Sequence, residues 1–276
     1  MTSREPTRAH LVVGGFPPGS TAGHDMDYVR LRLLQLLSEQ PGVQTTVAND
    51  YFGIEQWLPG RQLLVTYVAF PYLNEPQNDF VKQWLADGGR WLALHGTGSG
   101  RSERQPNGNW RSIQSSHHET LGGLVLGHPP IRKFRVDVAD RDHPLTRGLP
   151  ESFEVMDETY FIRLDSSSKH HLLLTTDLPN DPTPPPNFLG MEFDHTEALQ
   201  PDGRTRVLGY TKDVDQGGVA YIALGHCHSP YMRQQPFVDA SVSPDEKTPP
   251  LFLGSWETES FETLLRNGIR WGIGAY

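Results

Sequence analysis

Cysteine is nearly absent: Cys227 is the single thiol in 276 residues. No internal disulfide can form, and a reducing compartment suits such a chain. No run approaches the roughly 20 apolar residues of a membrane span. Met1 to His10 is polar and lacks the apolar core of a signal peptide. Positive charge is also scarce, with 24 Lys and Arg against 33 Asp and Glu and a formal net charge of −9. Sequence-independent phosphate binding needs a clustered basic surface, which this balance does not offer. Neither nucleic acid nor a membrane is therefore an expected partner, and a cytoplasmic location is expected.

What the chain has is glycine (27) and proline (23) beside 36% hydrophobic residues, the composition of a globular protein with many turns and long loops. No linker divides it, so residues 1–276 read as one domain. Leu11 to Gly15 is a short apolar run ending in glycines, as a buried strand would be. Asp25 to Glu39 then carries Val29, Leu33, Leu36 and Leu37 at helical spacing, with Asp25 at the positive end of the dipole. Val43 to Ala48 and Leu63 to Ala69 read as further strands. Asn74 and Pro76 open a helix with Phe80, Val81, Trp84 and Leu85 on one face, and Gly88-Gly89 ends it. Arg90 to His95 is a fourth strand. This alternation predicts an α/β fold, flavodoxin-like and doubly wound, with a mainly parallel sheet and a ligand site outside the carboxyl ends of its strands.

From Ile131 the rhythm changes. Strand-like runs at 134–138, 154–156, 160–163, 172–176, 206–211 and 219–224 follow one another closely, which predicts an antiparallel elaboration in the C-terminal half. Residues 178–186 and 233–250 read as loops, the second long enough to be a lid. Phe261, Leu264, Leu265, Gly268 and Ile269 make a closing helix.

The chemistry concentrates at strand ends. His95 closes the fourth strand and is followed by Gly96-Thr-Gly-Ser-Gly100, a loop that lets backbone approach a ligand. It lacks the spacing and lysine of a P-loop. Gly225-His226-Cys227-His228 follows the 219–224 run in the same way. Cys227 as a nucleophile competes with inert packing, the commoner role of a lone cysteine. Asp157-Glu158 offers two carboxylates suited to general acid/base work or metal ligation, against the plain alternative of a solvated turn. The adjacent His117 and His118 are expected at the solvated surface, and His143 within a structural Asp-His-Pro turn.

These residues also carry a family likeness. Gly88 to His95, Leu121-Gly-Gly with Gly127-His-Pro129, Asp142 to Pro150, Asp157 to Tyr160, Gly217 to His226 and Gly268 to Trp271 occur in order over nearly the whole chain. With them the chain resembles the ThuA-like (trehalose utilisation) proteins, a branch of the class I glutamine amidotransferase-like superfamily. True amidotransferases of that superfamily place a nucleophilic cysteine near the position His95 takes here, and Cys227 lies on another strand. Glutaminase activity is set aside accordingly.

The resemblance implies carbohydrate metabolism, with a sugar or keto-sugar as substrate and isomerase, lyase or hydrolase chemistry. Enolising a keto-sugar needs a base and a donor for the enolate oxygen, and His95, Glu158 and His226 are the candidates for catalysis. Gly96, Trp110, His118, Tyr160 and His228 are candidates for substrate binding, with Tyr231 a further ring for stacking. A divalent metal, Zn²⁺ or Mn²⁺, is a candidate cofactor with His95, His128, Glu158 and His226 as donors, although no tight spacing such as His-x-x-x-His is present. The expected partner is a small-molecule carbohydrate, and a homo-oligomer is allowed. A non-catalytic sugar-binding or sensing protein of the same fold is the alternative.

Overall fold

The computed structural model describes residues 6–15, 23–177 and 188–275; the loop expected at 178–186 lies outside them. Strand β1 (Thr7–Gly14) leads to helix α1 (Met26–Ser38), where the Asp25 side chain accepts from the Tyr28 amide at 3.0 Å and caps the first turn. Val29, Leu33, Leu36 and Leu37 form its buried stripe. Strand β2 (Val43–Ala48), the one-turn helix α2 (Ile54–Trp57) and strand β3 (Leu63–Val68) follow. All six residues of β3 are buried, because helices cover both faces of the sheet there. Helix α3 (Glu75–Ala86) opens with a capping box between Asn74 and Gln77, and strand β4 (Arg90–Leu94) completes this half.

A hairpin of β5 (Arg101–Arg104) and β6 (Trp110–Ile113) rises from a stretch without strong strand patterning. It leads to the short helix α4 (Ser116–Leu121) and strand β7 (Gly123–Gly127). The strands β8 (Arg132–Val138), β9 (Ser152–Asp157), β10 (Phe161–Leu164), β11 (His171–Asp177), β12 (Thr205–Val214) and β13 (Gly217–Ile222) come next, and helix α5 (Glu259–Gly272) follows later. Among the described residues, nine strands make one sheet in the order β2-β1-β3-β4-β13-β12-β11-β8-β9. Pairing is parallel from β2 to β13 and antiparallel from β13 to β9. Strands β7 and β10 form a separate antiparallel pair beside it.

Strand β13 corrects one expectation. It forms the expected antiparallel pair with β12, but it also lies parallel to β4, with Val219 opposite Trp91 and Ile222 opposite Leu94. Without it β4 would be an open edge in the middle of the molecule. The close approach depends on Gly217, where an added Cβ would stand 2.0 Å from the Gly89 carbonyl oxygen and 2.3 Å from that of Leu85. On one face of the sheet, α1 and α5 bury Leu33, Leu36, Leu264 and Ile269 against Val65, Leu92 and Ile222. On the other face, α2 and α3 bury Ile54, Val81 and Leu85 against Leu64, Trp91 and Val219. The carboxyl ends of β4 and β13 therefore emerge side by side, one bearing His95 and the other Gly225-His226.

Candidate active site

His95 is wholly buried and starts a 3₁₀ turn (His95–Gly98) that reverses the chain after β4. Its φ of 45° is left-handed, a conformation that costs a non-glycine residue free energy and is retained where the surroundings enforce it. Two bonds do so: the Tyr221 hydroxyl donates to the His95 carbonyl at 2.7 Å, and His95 Nδ1 lies 2.7 Å from the Ala223 carbonyl oxygen. A carbonyl only accepts, so Nδ1 carries a proton and Nε2 points inward. Around Nε2 stand the Tyr160 hydroxyl at 3.0 Å, His24 Nε2 at 3.0 Å and Glu158 Oε2 at 3.2 Å.

Glu158 is the centre of the group. Its Oε1 lies 3.1 Å from His226 Nδ1 and 3.6 Å from His128 Nε2, and it accepts from the Gln235 amide. Neighbouring Asp157 anchors the frame. Its carboxylate accepts from the amides of Gly225 (2.8 Å), His226 (3.0 Å) and Glu158 (2.8 Å) and from the Ser255 hydroxyl. One buried side chain thus ties the end of β9 to the exit of β13 and sets both Glu158 and His226. The plain alternative of a solvated turn at Asp157-Glu158 does not hold, since Asp157 is 0% and Glu158 4% exposed.

Charge follows from this arrangement. Burial opposes ionisation of Glu158, yet the imidazoles of His128, His226 and His95 hold its carboxyl well below the usual carboxylate range. Burial also works against charge on His226, but Glu158 and Asp157 overcome it and raise the ring above its ordinary value. His24 and His128 move down, chiefly through burial and then, for His24, through His95 and His226. Burial drives the Tyr160 phenol well up, so it keeps its proton. It also raises the Cys227 thiol, which packs in the apolar core, the surroundings of an inert cysteine.

The group forms the floor of a cavity of about 350 Å³ whose lining includes His24, His128, Glu158, Tyr160, His226 and Gln235. That size is in the range of small-ligand pockets. Comparison with known proteins gives a family to match. The family model for ThuA, trehalose utilisation, matches residues 19–240. The chain belongs to the ThuA family. A ThuA-like protein from Bacteroides uniformis shares its fold at a TM-score of 0.64 and 15% identity, over 99% of this chain and 94% of that one. A second, from Parabacteroides merdae, does so at 0.59 and 17%, over 97% and 90%. A cytoplasmic protein from Salmonella typhimurium is similar at 0.50 and 10% identity, over 96% and 98%. No curated protein matches the sequence.

His128, Glu158, Tyr160, His226 and Gly96 line this ThuA-family cavity, and His95 lies buried just behind the lining, 3.2 Å from Glu158. Trp110, His118 and His228 do not line it. Trp110 sits on the β5–β6 hairpin, 43% exposed, and Tyr231 is 85% exposed. His118 lies behind the wall, with Nδ1 accepting from the Ser115 amide at 3.0 Å and Nε2 at 3.1 Å from the Ser99 carbonyl oxygen. It and His117 are buried rather than solvated, because α4 packs them against the loop after His95. His228 stands behind His226. His143 does sit in a structural turn, its Nδ1 accepting from the Leu145 amide at 3.2 Å. Two members had no signal in spacing or pattern: His24, from the loop between β1 and α1, and Gln235, from the 233–250 segment. His24 was findable, since that loop also leaves the carboxyl end of a parallel strand.

Proposed function

We propose that this ThuA-family protein is an enzyme of carbohydrate metabolism that acts on a keto-sugar in the cavity above Glu158. The observation that carries the reading is a buried carboxylate ringed by imidazoles and a phenol, at the floor of a cavity open to a small molecule. The family's description, trehalose utilisation, supports a sugar as the substrate class.

The reaction we infer is removal of a proton beside a carbonyl. His128 is the base. Its Nδ1 donates to the Pro129 carbonyl at 2.8 Å, burial keeps the ring neutral, and Nε2 offers a lone pair at the cavity wall. As the C–H bond breaks, its electron pair forms the carbon–carbon double bond, the carbonyl π pair moves to oxygen, and the proton goes to His128. The Tyr160 hydroxyl and the raised His226 ring beside Glu158 stabilise the enolate oxygen, and a cation held among the imidazoles would add to that charge. Returning the proton to the former carbonyl carbon, while the hydroxyl proton of the deprotonated carbon passes to the enolate oxygen, shifts the carbonyl and isomerises the sugar; expelling a substituent with its electron pair from the next carbon instead completes an elimination.

Solvent deuterium exchange tests this. Wild-type protein mixed with a panel of keto-hexoses and keto-disaccharides in D₂O should exchange the proton next to the carbonyl, followed by NMR. His128→Asn should slow exchange by about 10²–10⁴-fold, the usual contribution of a positioned base. Tight sugar binding without exchange or turnover of any panel member makes the protein a non-catalytic sugar binder and ends the enzymatic reading.

A further inference from the structure

Two of the imidazoles at the cavity floor, His95 and His226, are oriented from outside and turn one nitrogen inward. His95 donates through Nδ1 to the Ala223 carbonyl, which leaves Nε2 as a lone pair. His226 is set through a relay. His228 Nε2 lies 2.8 Å from the Pro249 carbonyl oxygen and must donate to it, so His228 Nδ1 accepts. That atom is 3.1 Å from His226 Nε2, which therefore carries a proton, so in the neutral ring His226 Nδ1 is a lone pair. His226 Nδ1 is buried without a hydrogen-bond partner. Both lone pairs face Glu158, at 3.2 Å from one carboxylate oxygen and 3.1 Å from the other. A third ring, His24, brings its Nε2 to 3.0 Å from His95 Nε2. A neutral His226 Nδ1 aimed at the Glu158 carboxylate at this distance repels it unless positive charge, a proton or a metal ion, lies between them.

We propose that His24, His95, Glu158 and His226 bind a divalent transition-metal ion, with Zn²⁺ the ion of best fit. One donor atom from each lies within 4.8 Å of every other. A tetrahedral zinc shell, with bonds of about 2.0–2.1 Å, places its donors about 3.4 Å apart, close to the 3.0–3.2 Å seen between neighbours here. Three imidazoles and one carboxylate suit zinc, whereas Mg²⁺ and Ca²⁺ take oxygen shells. The outer bonds from Ala223 and from the His228–Pro249 relay are those that fix and polarise metal-bound histidines. The ion would sit at the cavity floor with His128 and Tyr160 beside it and outside its shell. This inference rests on reading the cavity as the reaction site, but its test does not.

Untagged protein, stripped with a chelator and dialysed, is titrated with Zn²⁺ by calorimetry and analysed for bound metal. One Zn²⁺ per chain is expected, with a melting temperature that rises on zinc addition and falls on chelation. His24→Asn and Glu158→Gln should each weaken binding by about 10-fold or more, and His228→Phe by about 10–100-fold, the range for outer partners of a metal ligand. The double variant His143→Asn/His171→Asn, in a histidine pair remote from the cavity, should bind as wild type does. Circular dichroism selects the variants that fold, and any one of the three suffices. A stoichiometry near zero, or binding lost equally in the remote double variant, overturns the site and leaves a protonated His226 beside Glu158. Stoichiometric zinc without turnover of any sugar upholds the metal site while removing the enzymatic reading.

Discussion

Asp157 shows at the scale of one side chain how the site is held. It touches no substrate space, yet both its oxygens are saturated by donors from three separate segments. Asp157→Asn keeps the shape but replaces one acceptor oxygen with an amide donor, which leaves buried donors unpaired. A loss of about 1–3 kcal/mol of stability is expected, read from the urea midpoint at constant slope. Activity should fall further than stability, because Glu158 and His226 both lose their anchor. A midpoint unchanged from wild type would show that the Asp157 bonds contribute nothing. His95 is a second case: asparagine tolerates its left-handed backbone better than alanine, so His95→Asn is the variant that separates lost chemistry from lost structure.

At the scale of elements, the turn after β4 carries the risk. Gly98 packs so closely that an added Cβ would stand 2.5 Å from the Tyr221 hydroxyl oxygen and 2.6 Å from the ring carbon bearing it. That hydroxyl holds the His95 carbonyl. Gly98→Ala should therefore cost about 1–3 kcal/mol, as overpacking does, and displace His95 as well. Thermal melting and the deuterium-exchange assay should both register it, and a variant as stable as wild type would contradict the packing described. Elements with strong local signals were legible in the chain itself. The stripe of α1, the Asn74 cap of α3 and the fully apolar β3 all follow from spacing and burial on both sheet faces. The β5–β6 hairpin was not legible, since it is mostly exposed and polar and no buried face imposes an alternation. Nor was the burial of His117 and His118, which depends on what α4 meets in space.

For the whole molecule, acid is the informative stress. Burial keeps His10 and His117 neutral in the folded state by lowering their pKa from 6.5 to about 4 and about 3. Below pH 6.5 the unfolded chain takes up protons that these folded sites refuse. Their contribution is complete above pH 6.5 and is lost as pH falls toward 4 and then 3, each group adding at most about 1.4 kcal/mol per pH unit. Urea midpoints at pH 7.5, 5.5 and 4.5 should decline in that order. His10→Asn, which can keep the contact that His10 Nδ1 makes with the Thr46 hydroxyl, should decline less; an identical decline would remove His10 from the account.

His95 and His226 could be placed at strand ends from the chain alone. Local hydrophobic patterning determines which segments become strands and helices, and strand ends follow directly from it. Glu158 was visible only as an acid near a strand break. The meeting of these residues was decided by tertiary structure. It required β13 to insert beside β4 across more than a hundred intervening residues, Asp157 to bridge two strand ends, and the loop after β1 to deliver His24. Such contacts depend on long-range pairing and on satisfying buried donors, neither of which leaves a period in the sequence.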